Sequence, residues 1–93
     1  MSSAEQCQSG HESVCFTVLA DPSVGLLARV IQPFARRALE PDSFSAQRHD
    51  TVVRVDIAIQ RIPFEMVHLV VGNLHQIVGV HSVATAKMDM GML

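Results

Sequence analysis

The chain has 93 residues and a formal net charge of −2, with 48% hydrophobic residues but neither Trp nor Tyr and only four Phe. This length gives one domain, whose core must be built mainly from Val, Ile and Leu. A slightly negative chain offers no basic surface, so binding of nucleic acid is not expected. No segment reaches the roughly eighteen apolar residues of a membrane-spanning helix, so no membrane span is expected either.

The composition changes at both ends of the chain. The sequence predicts a disordered N-terminal tail over 1–12, one domain over 13–87 and a Met-rich C-terminal tail over 88–93. The N-terminus lacks the basic start and the apolar stretch of a signal peptide. A disulfide between Cys7 and Cys15 would tie the tail to a strand, so reduced thiols and a cytoplasmic location are expected.

The predicted domain opens with a strand and a helix. Alternating apolar residues over 14–20 predict a strand that ends at Pro22. Ser23 is the expected N-cap of a helix that begins near Val24, and Pro33 within that helix predicts a kink. One apolar stripe along the helix is made of Leu26, Leu27, Val30, Ile31 and Phe34.

Two further strands follow, joined by a tight turn at His49 and Asp50. Residues 39–48 predict a weak edge strand, because Pro41 cannot donate a hydrogen bond to a sheet. The next strand is the clearest element, and Ile62 and Pro63 are expected to end it. Its predicted inward residues are Val53, Val55, Ile57 and Ile59, which alternate with Arg54, Asp56, Ala58 and Gln60.

The second helix is predicted to begin near Pro63 and to stop at Gly79, and a last strand covers 80–87. The order strand, helix, strand, strand, helix, strand predicts an α+β, ferredoxin-like βαββαβ sandwich. Its antiparallel sheet of four strands has the order 2-3-1-4, with two helices on one face. The apolar stripe of the second helix is Val67, Val70, Val71, Leu74, Ile77 and Val78.

The turn between the first strand and the first helix carries the clearest functional signal. Residues 20–30 read Ala-Asp-Pro-Ser-Val-Gly-Leu-Leu-Ala-Arg-Val, so the helix opens at a glycine. A helix start presents free backbone N–H groups and the positive end of the helix dipole. These groups suit an anion such as a carboxylate, which favours a small-molecule sensor over a catalyst.

Neither a metal site nor a catalytic residue is predicted. His68 and His75 lie two helical turns apart, about 10 Å, so one metal ion cannot join them. Cys15 lies in an apolar strand without a local histidine or cation, which favours a packing role over a nucleophilic one. No cofactor is expected, and the chain is not expected to be an enzyme. The five histidines are His11, His49, His68, His75 and His81.

The outward face of the predicted sheet has two interpretations. Its side chains include Thr17, Arg54, Asp56 and Gln60, without the aromatic residues on which RNA bases stack. These positions form either an ordinary solvated face or a face where two sheets or two chains meet. The sequence leaves both open.

Residues 14–87 resemble an ACT domain, a small regulatory fold that senses amino acids. The resemblance rests on the first strand running into Asp21-Pro-Ser-Val-Gly-Leu-Leu-Ala-Arg-Val30, followed by Pro33-Phe-Ala-Arg-Arg37. Gly25 and Phe34-Ala-Arg-Arg37 are most similar to the small regulatory subunit of acetohydroxyacid synthase (acetolactate synthase). The later segment Leu74-His-Gln-Ile-Val-Gly-Val-His-Ser-Val83 resembles the end of that family's second helix and its last strand.

The resemblance implies a homodimer, with domains paired side by side or back to back. A branched-chain amino acid would bind near the loop before the first helix and control a large catalytic subunit that uses thiamine diphosphate. Backbone N–H groups near Val24, Gly25 and Leu26 would hold its carboxylate, and Asp21 its ammonium group. The implied effector-binding residues are Asp21, Ser23, Val24, Gly25 and Leu26.

The loop departs from the family pattern at two positions. Pro22 stands where the family often has an Asn or Asp that contacts the ligand, and Val24 stands where a Pro usually precedes the glycine. Proline has neither a polar side chain nor an N–H. The alternative interpretation is therefore a stand-alone ACT-like interaction module that forms a dimer without an effector.

Overall fold

The computed structural model describes residues 11–88, which form the predicted order of strands and helices. A 3₁₀ turn over Phe64–Met66 leads into the second helix. The elements are β1 His11–Ala20, α1 Leu26–Arg36, β2 Ser43–His49, β3 Val52–Pro63, α2 Val67–His75 and β4 Val80–Lys87.

The sheet is antiparallel with the order β2-β3-β1-β4, which confirms the predicted topology and the ferredoxin-like fold. β1 lies in the centre, and its Val18 is opposite Val55 of β3 and Val83 of β4. Right-handed crossovers through the helices place the strands in this order. Both helices contribute buried residues to the core on one face of the sheet.

The core is apolar throughout, with no buried polar or charged residue in the described part of the chain. Phe16 of β1 and Phe34 of α1 meet edge to face, with ring centroids 5.3 Å apart. This contact joins the central strand to the first helix. The buried hydrophobic residues are Val14, Phe16, Val18, Ala20, Leu26, Val30, Phe34, Val55, Ile57, Ile59, Ile62, Val70 and Leu74.

The start of α1 differs from the prediction. The helix begins at Leu26, and its N-cap is Gly25 with a left-handed φ of 82°; no side chain caps it. The prediction of Ser23 as a side-chain cap is therefore wrong. The Ser23 carbonyl, rather than its hydroxyl, accepts the Leu26 N–H at 3.2 Å. The left-handed conformation at Gly25 is one that glycine adopts without strain.

The bounds of two strands also differ from the prediction. β1 begins at His11, within the segment assigned to the tail, and β2 begins at Ser43 rather than at residue 39. The turn after β2 lies at Asp50 and Thr51, one residue later than predicted. The edge position predicted from Pro41 is confirmed, because β2 pairs with β3 alone.

β3 continues through the residues that were expected to end it. Ile62 is buried and opposite Glu12, and Pro63 is the last residue of the strand, opposite His11. A proline is tolerated there because it lies at the end of the ladder. Between Glu12 and Val14 the register shifts, because their partners Ile62 and Ile59 are three residues apart. The extra residue of β3 is taken up as a bulge.

α2 ends at His75, one turn earlier than predicted. Gly79, with φ +94°, lies in the turn before β4 instead of at the helix end. Two residues of the predicted apolar stripes are exposed: Val78 is 86% exposed, and Leu27 of α1 is 45% exposed. Val78 lies three residues after His75, the last residue of α2, so helical periodicity no longer sets the direction of its side chain.

Some sequence predictions fall outside residues 11–88. They concern the N-terminal tail up to residue 10, Cys7 and the C-terminal tail after Met88. Within the described range no helix is both long and apolar enough to cross a membrane.

The core contact predicts a large effect of Phe34→Ala. Because Phe34 is fully buried against Phe16, truncation is expected to lower the free energy of unfolding by about 3 to 5 kcal/mol. Urea denaturation followed by circular dichroism measures this loss in the free energy of unfolding. Phe64→Ala, at a side chain that is 59% exposed, is the matched control and is expected to cost under about 1 kcal/mol. Equal losses would contradict the assignment of the core.

Substitution by alanine is predicted to have opposite effects on stability at Gly25, the N-cap of α1, and at Gly72 within α2. Gly25→Ala forces a side chain into a left-handed backbone and is expected to destabilise by about 1 to 2 kcal/mol. Gly72 lies within α2, where an added Cβ meets nothing within 4 Å; Gly72→Ala is expected to stabilise by about 0.5 to 1 kcal/mol. Thermal and urea unfolding report both values. Stabilisation by Gly25→Ala would contradict the left-handed cap.

Candidate functional site

The start of α1 presents backbone donors without a backbone acceptor in the described part of the chain. The Leu26 N–H donates to Ser23 and the Arg29 N–H donates to the Gly25 carbonyl at 3.1 Å. Between them, the amides of Leu27 and Ala28 have no backbone acceptor among residues 11–88. These two N–H groups and the helix dipole make this end of α1 attractive to a negative group.

An open groove of about 550 Å³ lies beside this helix start. One wall comes from the loop before α1 and its first turn, and the other comes from the second half of β2 and the beginning of β3. The volume is within the range of small-molecule sites. The lining residues are Pro22, Ser23, Val24, Leu26, Leu27, Ala46, Gln47, Arg48 and Val53.

The structure brings three of the implied effector-binding residues to the groove, namely Ser23, Val24 and Leu26. Gly25 lies between them in sequence and forms the turn that sets the direction of α1. An added Cβ at Gly25 would meet nothing within 4 Å, so the backbone there is open to a neighbouring molecule.

Asp21 occupies a different position. It does not line the groove, and its Oδ1 lies 2.7 Å from Nε2 of His81 at the start of β4. An ionised carboxylate only accepts hydrogen bonds, so Nε2 carries the proton and donates. The Asp21 N–H also donates to the Gly79 carbonyl at 2.9 Å. These contacts fix the beginning of the loop to β4.

Sequence reasoning missed Arg48 and His81. Arg48 reaches the groove because β2 pairs with β3 and places its last residues beside Val53, the partner of Arg48. His81 meets Asp21 because β4 begins where β1 ends, with Val80 opposite Ala20. The predicted strand order contained this second signal, since the end of β1 and the start of β4 must be neighbours.

The groove combines positive charge with apolar surface. Arg48 is its charged lining residue, and its lining includes no carboxylate from residues 11–88. The apolar part comes from Leu26, Leu27 and Val53. Arginine donates to carboxylates in a fixed planar geometry. The groove therefore suits a small carboxylate that bears an aliphatic group.

The described residues contain no cluster of three or more His, Cys, Asp or Glu side chains that could hold a metal ion. The outward face of the sheet carries a small polar network instead. Thr17 Oγ1 donates to Asp56 Oδ1 at 2.8 Å, and Arg54 Nε donates to Asp56 Oδ2 at 3.1 Å. The hydrogen-bonding groups of Thr17, Arg54 and Asp56 therefore pair with one another. Such a face is compatible both with solvent and with a second sheet or chain.

Several solved structures share the fold at low sequence identity. The ACT domain of GTP pyrophosphokinase from Chlorobium tepidum has a TM-score of 0.71 at 9% identity, over 82% of this chain and 99% of that one. A homoserine dehydrogenase from Thiobacillus denitrificans has a TM-score of 0.73 at 12% identity. That match covers 85% of this chain and 18% of the other. The regulatory subunit of aspartate kinase from Thermus flavus has a TM-score of 0.58 at 16% identity. That match covers 81% of this chain and 51% of the other.

The search of curated proteins finds no significant match. The sequence profile of the ACT-like domain, in contrast, matches residues 7–92, which is nearly the whole chain. Such domains are typically regulatory or ligand-binding modules. The match and the βαββαβ topology agree. The chain belongs to the ACT-like domain family.

Proposed function

We propose that this protein is a regulatory subunit that binds a branched-chain amino acid in the groove beside α1 and thereby controls a catalytic partner. The resemblance of the helix start to the small subunit of acetohydroxyacid synthase points to a thiamine diphosphate-dependent large subunit as that partner. The observation that carries the proposal is the groove itself, which joins unused amides, Arg48 and an apolar wall. A cytoplasmic location belongs to the same proposal.

The proposed ligand places its carboxylate between the helix start and β2. There the amides of Leu27 and Ala28 and the guanidinium of Arg48 supply the donors. Its branched side chain contacts Leu26 and Val53 on the apolar wall. A charge-assisted pair with arginine fixes the orientation of the carboxylate, and the apolar wall selects an aliphatic side chain.

The ammonium group has a single acidic candidate in the loop before α1, Asp21. Its Oδ1 accepts from His81, whereas Oδ2 has no hydrogen-bond partner among the described residues. Asp21 directly precedes Pro22, the first residue of the groove lining, which supplies no polar side chain. The proposed ligand therefore spans Pro22, with its ammonium group toward Oδ2 and its carboxylate toward α1.

A second copy of the chain is the proposed partner across β2. All seven residues of this edge strand are exposed, and it pairs with β3 on one side alone. An exposed edge strand is a template for pairing with another chain. The strand carries the exposed Phe44, and the exposed apolar side chains of Val24 and Leu27 lie across the groove from it. A homodimer formed here would also cover the open side of the groove.

The same edge favours the second candidate function, a dimerising interaction module without an effector. In that case Pro22 and Val24 lie where a ligand contact has been lost. The two candidates differ in ligand binding, and both include the dimer.

The effector proposal predicts that millimolar valine, leucine or isoleucine raises the melting temperature, because a ligand that binds only the native state stabilises it. Arg48→Gln is expected to weaken this binding at least tenfold, since it removes a charge-assisted hydrogen bond worth about 1.5 to 3 kcal/mol. Arg61→Gln, at an exposed arginine outside the groove, is the control. No shift with any of the three amino acids, together with no complex with a synthase large subunit, would reject the effector role.

The dimer proposal predicts a mass of twice 10.2 kDa by light scattering. Phe44→Lys is expected to reduce it to the monomer mass, because a charge on an edge strand opposes pairing. Phe64→Lys, at an exposed phenylalanine outside β2, is the matched control and is expected to leave the dimer intact. A wild-type chain that stays monomeric at high concentration would reject both candidate functions.

A further inference from the structure

The free edge of β2 has a defined pattern of backbone donors and acceptors. The Asp42 N–H donates to the Ala58 carbonyl at 2.7 Å, so the backbone groups of Ala58 point toward β2. Alternate residues of an antiparallel strand face the same neighbour, and Ala58 is the partner of Ser43. The odd-numbered residues of β2 therefore direct their N–H and C=O groups toward β3. The residues that direct these groups to the free edge are Phe44, Ala46 and Arg48.

The other side of the sheet gives the same pattern. The Met88 N–H donates to the Ser13 carbonyl at 2.9 Å, so Ser13 and the odd-numbered residues of β1 after it face β4. Val18 therefore faces β3, and its partner there is Val55. Because neighbouring residues of a strand face opposite sides, Asp56 faces β2. The hydrogen bonds at both ends of the sheet thus agree on which groups of β2 are free.

The residues with free backbone groups also have their side chains on the helix side of the sheet. Phe44 is opposite the buried Ile57 and Ala46 is opposite the buried Val55, and residues directly opposite each other lie on the same face. Phe44 is nevertheless 38% exposed, since no strand lies beyond it. Arg48 belongs to the same series and lines the groove. A strand added at this edge therefore brings its side chains to the open side of the groove.

A second copy that pairs antiparallel with β2 must join free residues to free residues. Pairing about Ala46 does so along the whole strand, because Ala46 is then opposite its own copy and Phe44 is opposite Arg48 of the second copy. A copy shifted by two residues instead meets Asp42, whose N–H is already bound within the chain, or the turn at Asp50. The register about Ala46 is therefore the one that satisfies every free backbone group of β2.

We propose that a second copy of the chain pairs with β2 in this register and that its Phe44 completes the groove by packing on Arg48. Opposite residues of an antiparallel pair have Cβ atoms about 4.5 to 5.5 Å apart, which brings the ring within reach of the guanidinium. An aromatic face attracts a guanidinium within about 6 Å, so the ring orients Arg48 and covers the open side of the groove. The inference rests on the proposed function and adds Phe44 as a residue that determines ligand specificity.

The register is tested without ligand, on the full 93-residue chain, in dimers that combine a ¹³C-labelled and an unlabelled copy. Isotope-filtered NOE spectra are expected to show a short Hα–Hα contact between Ser45 of one copy and Gln47 of the other, which are opposite each other in this register. The Phe44 ring is expected to contact Arg48 across the dimer. A contact between Ser45 and its own copy, a dimer that does not use β2, or a monomer would overturn the inference.

The completed groove is tested by sedimentation equilibrium with and without valine. Because the second copy supplies part of the site, saturating valine is expected to lower the dimer dissociation constant at least fivefold. Phe44→Leu is expected to weaken valine binding about threefold, whereas Phe64→Leu, at an exposed phenylalanine outside β2, is expected to leave it unchanged. Valine binding without an effect on the dimer, or equal losses in both variants, would overturn this inference alone. Absence of amino-acid binding would reject the proposed effector role instead, and the NOE contacts then decide the inference.

Discussion

The burial of one face of β1 determines how the rest of the molecule is arranged. β1 pairs on both sides, and its inward residues contact both helices through a single apolar core. Phe16 of this strand meets Phe34 near the end of α1, while Leu26 and Val30 are buried earlier along the same helix. The buried stripe leaves Leu27 beside it, half-exposed and facing β2. The groove exists because the core fixes α1 over β1, away from the edge strand.

This placement gives the two ends of α1 different chemistry. At the first end a left-handed glycine replaces a side-chain cap, so amides remain available next to Arg48. At the other end, backbone amides of residues 37–39 and the Arg37 side chain donate to the last helical carbonyls. The first end therefore suits a negative group, whereas Arg36 and Arg37 complement the negative end of the helix dipole at the other.

The sequence was sufficient for the topology because its strongest patterns lie in the central strands. Alternation in β1 and β3 is set by burial on one face, and the order of elements then leaves few arrangements. It was insufficient where backbone conformation decides, as at Gly25 and Gly79, because periodicity does not report a positive φ. Arg48 was missed for another reason: β2 is wholly exposed, so its weak pattern did not fix its register.

The contacts of Asp21 connect the candidate effector loop to the far side of the sheet. The loop begins at a residue whose N–H is held by Gly79 and whose carboxylate is held by His81, both at the junction between α2 and β4. A ligand that draws Asp21 toward the groove must compete with these contacts. In the proposed complex, the ammonium group of the ligand would therefore lie beside the contacts that hold the loop to the α2–β4 junction.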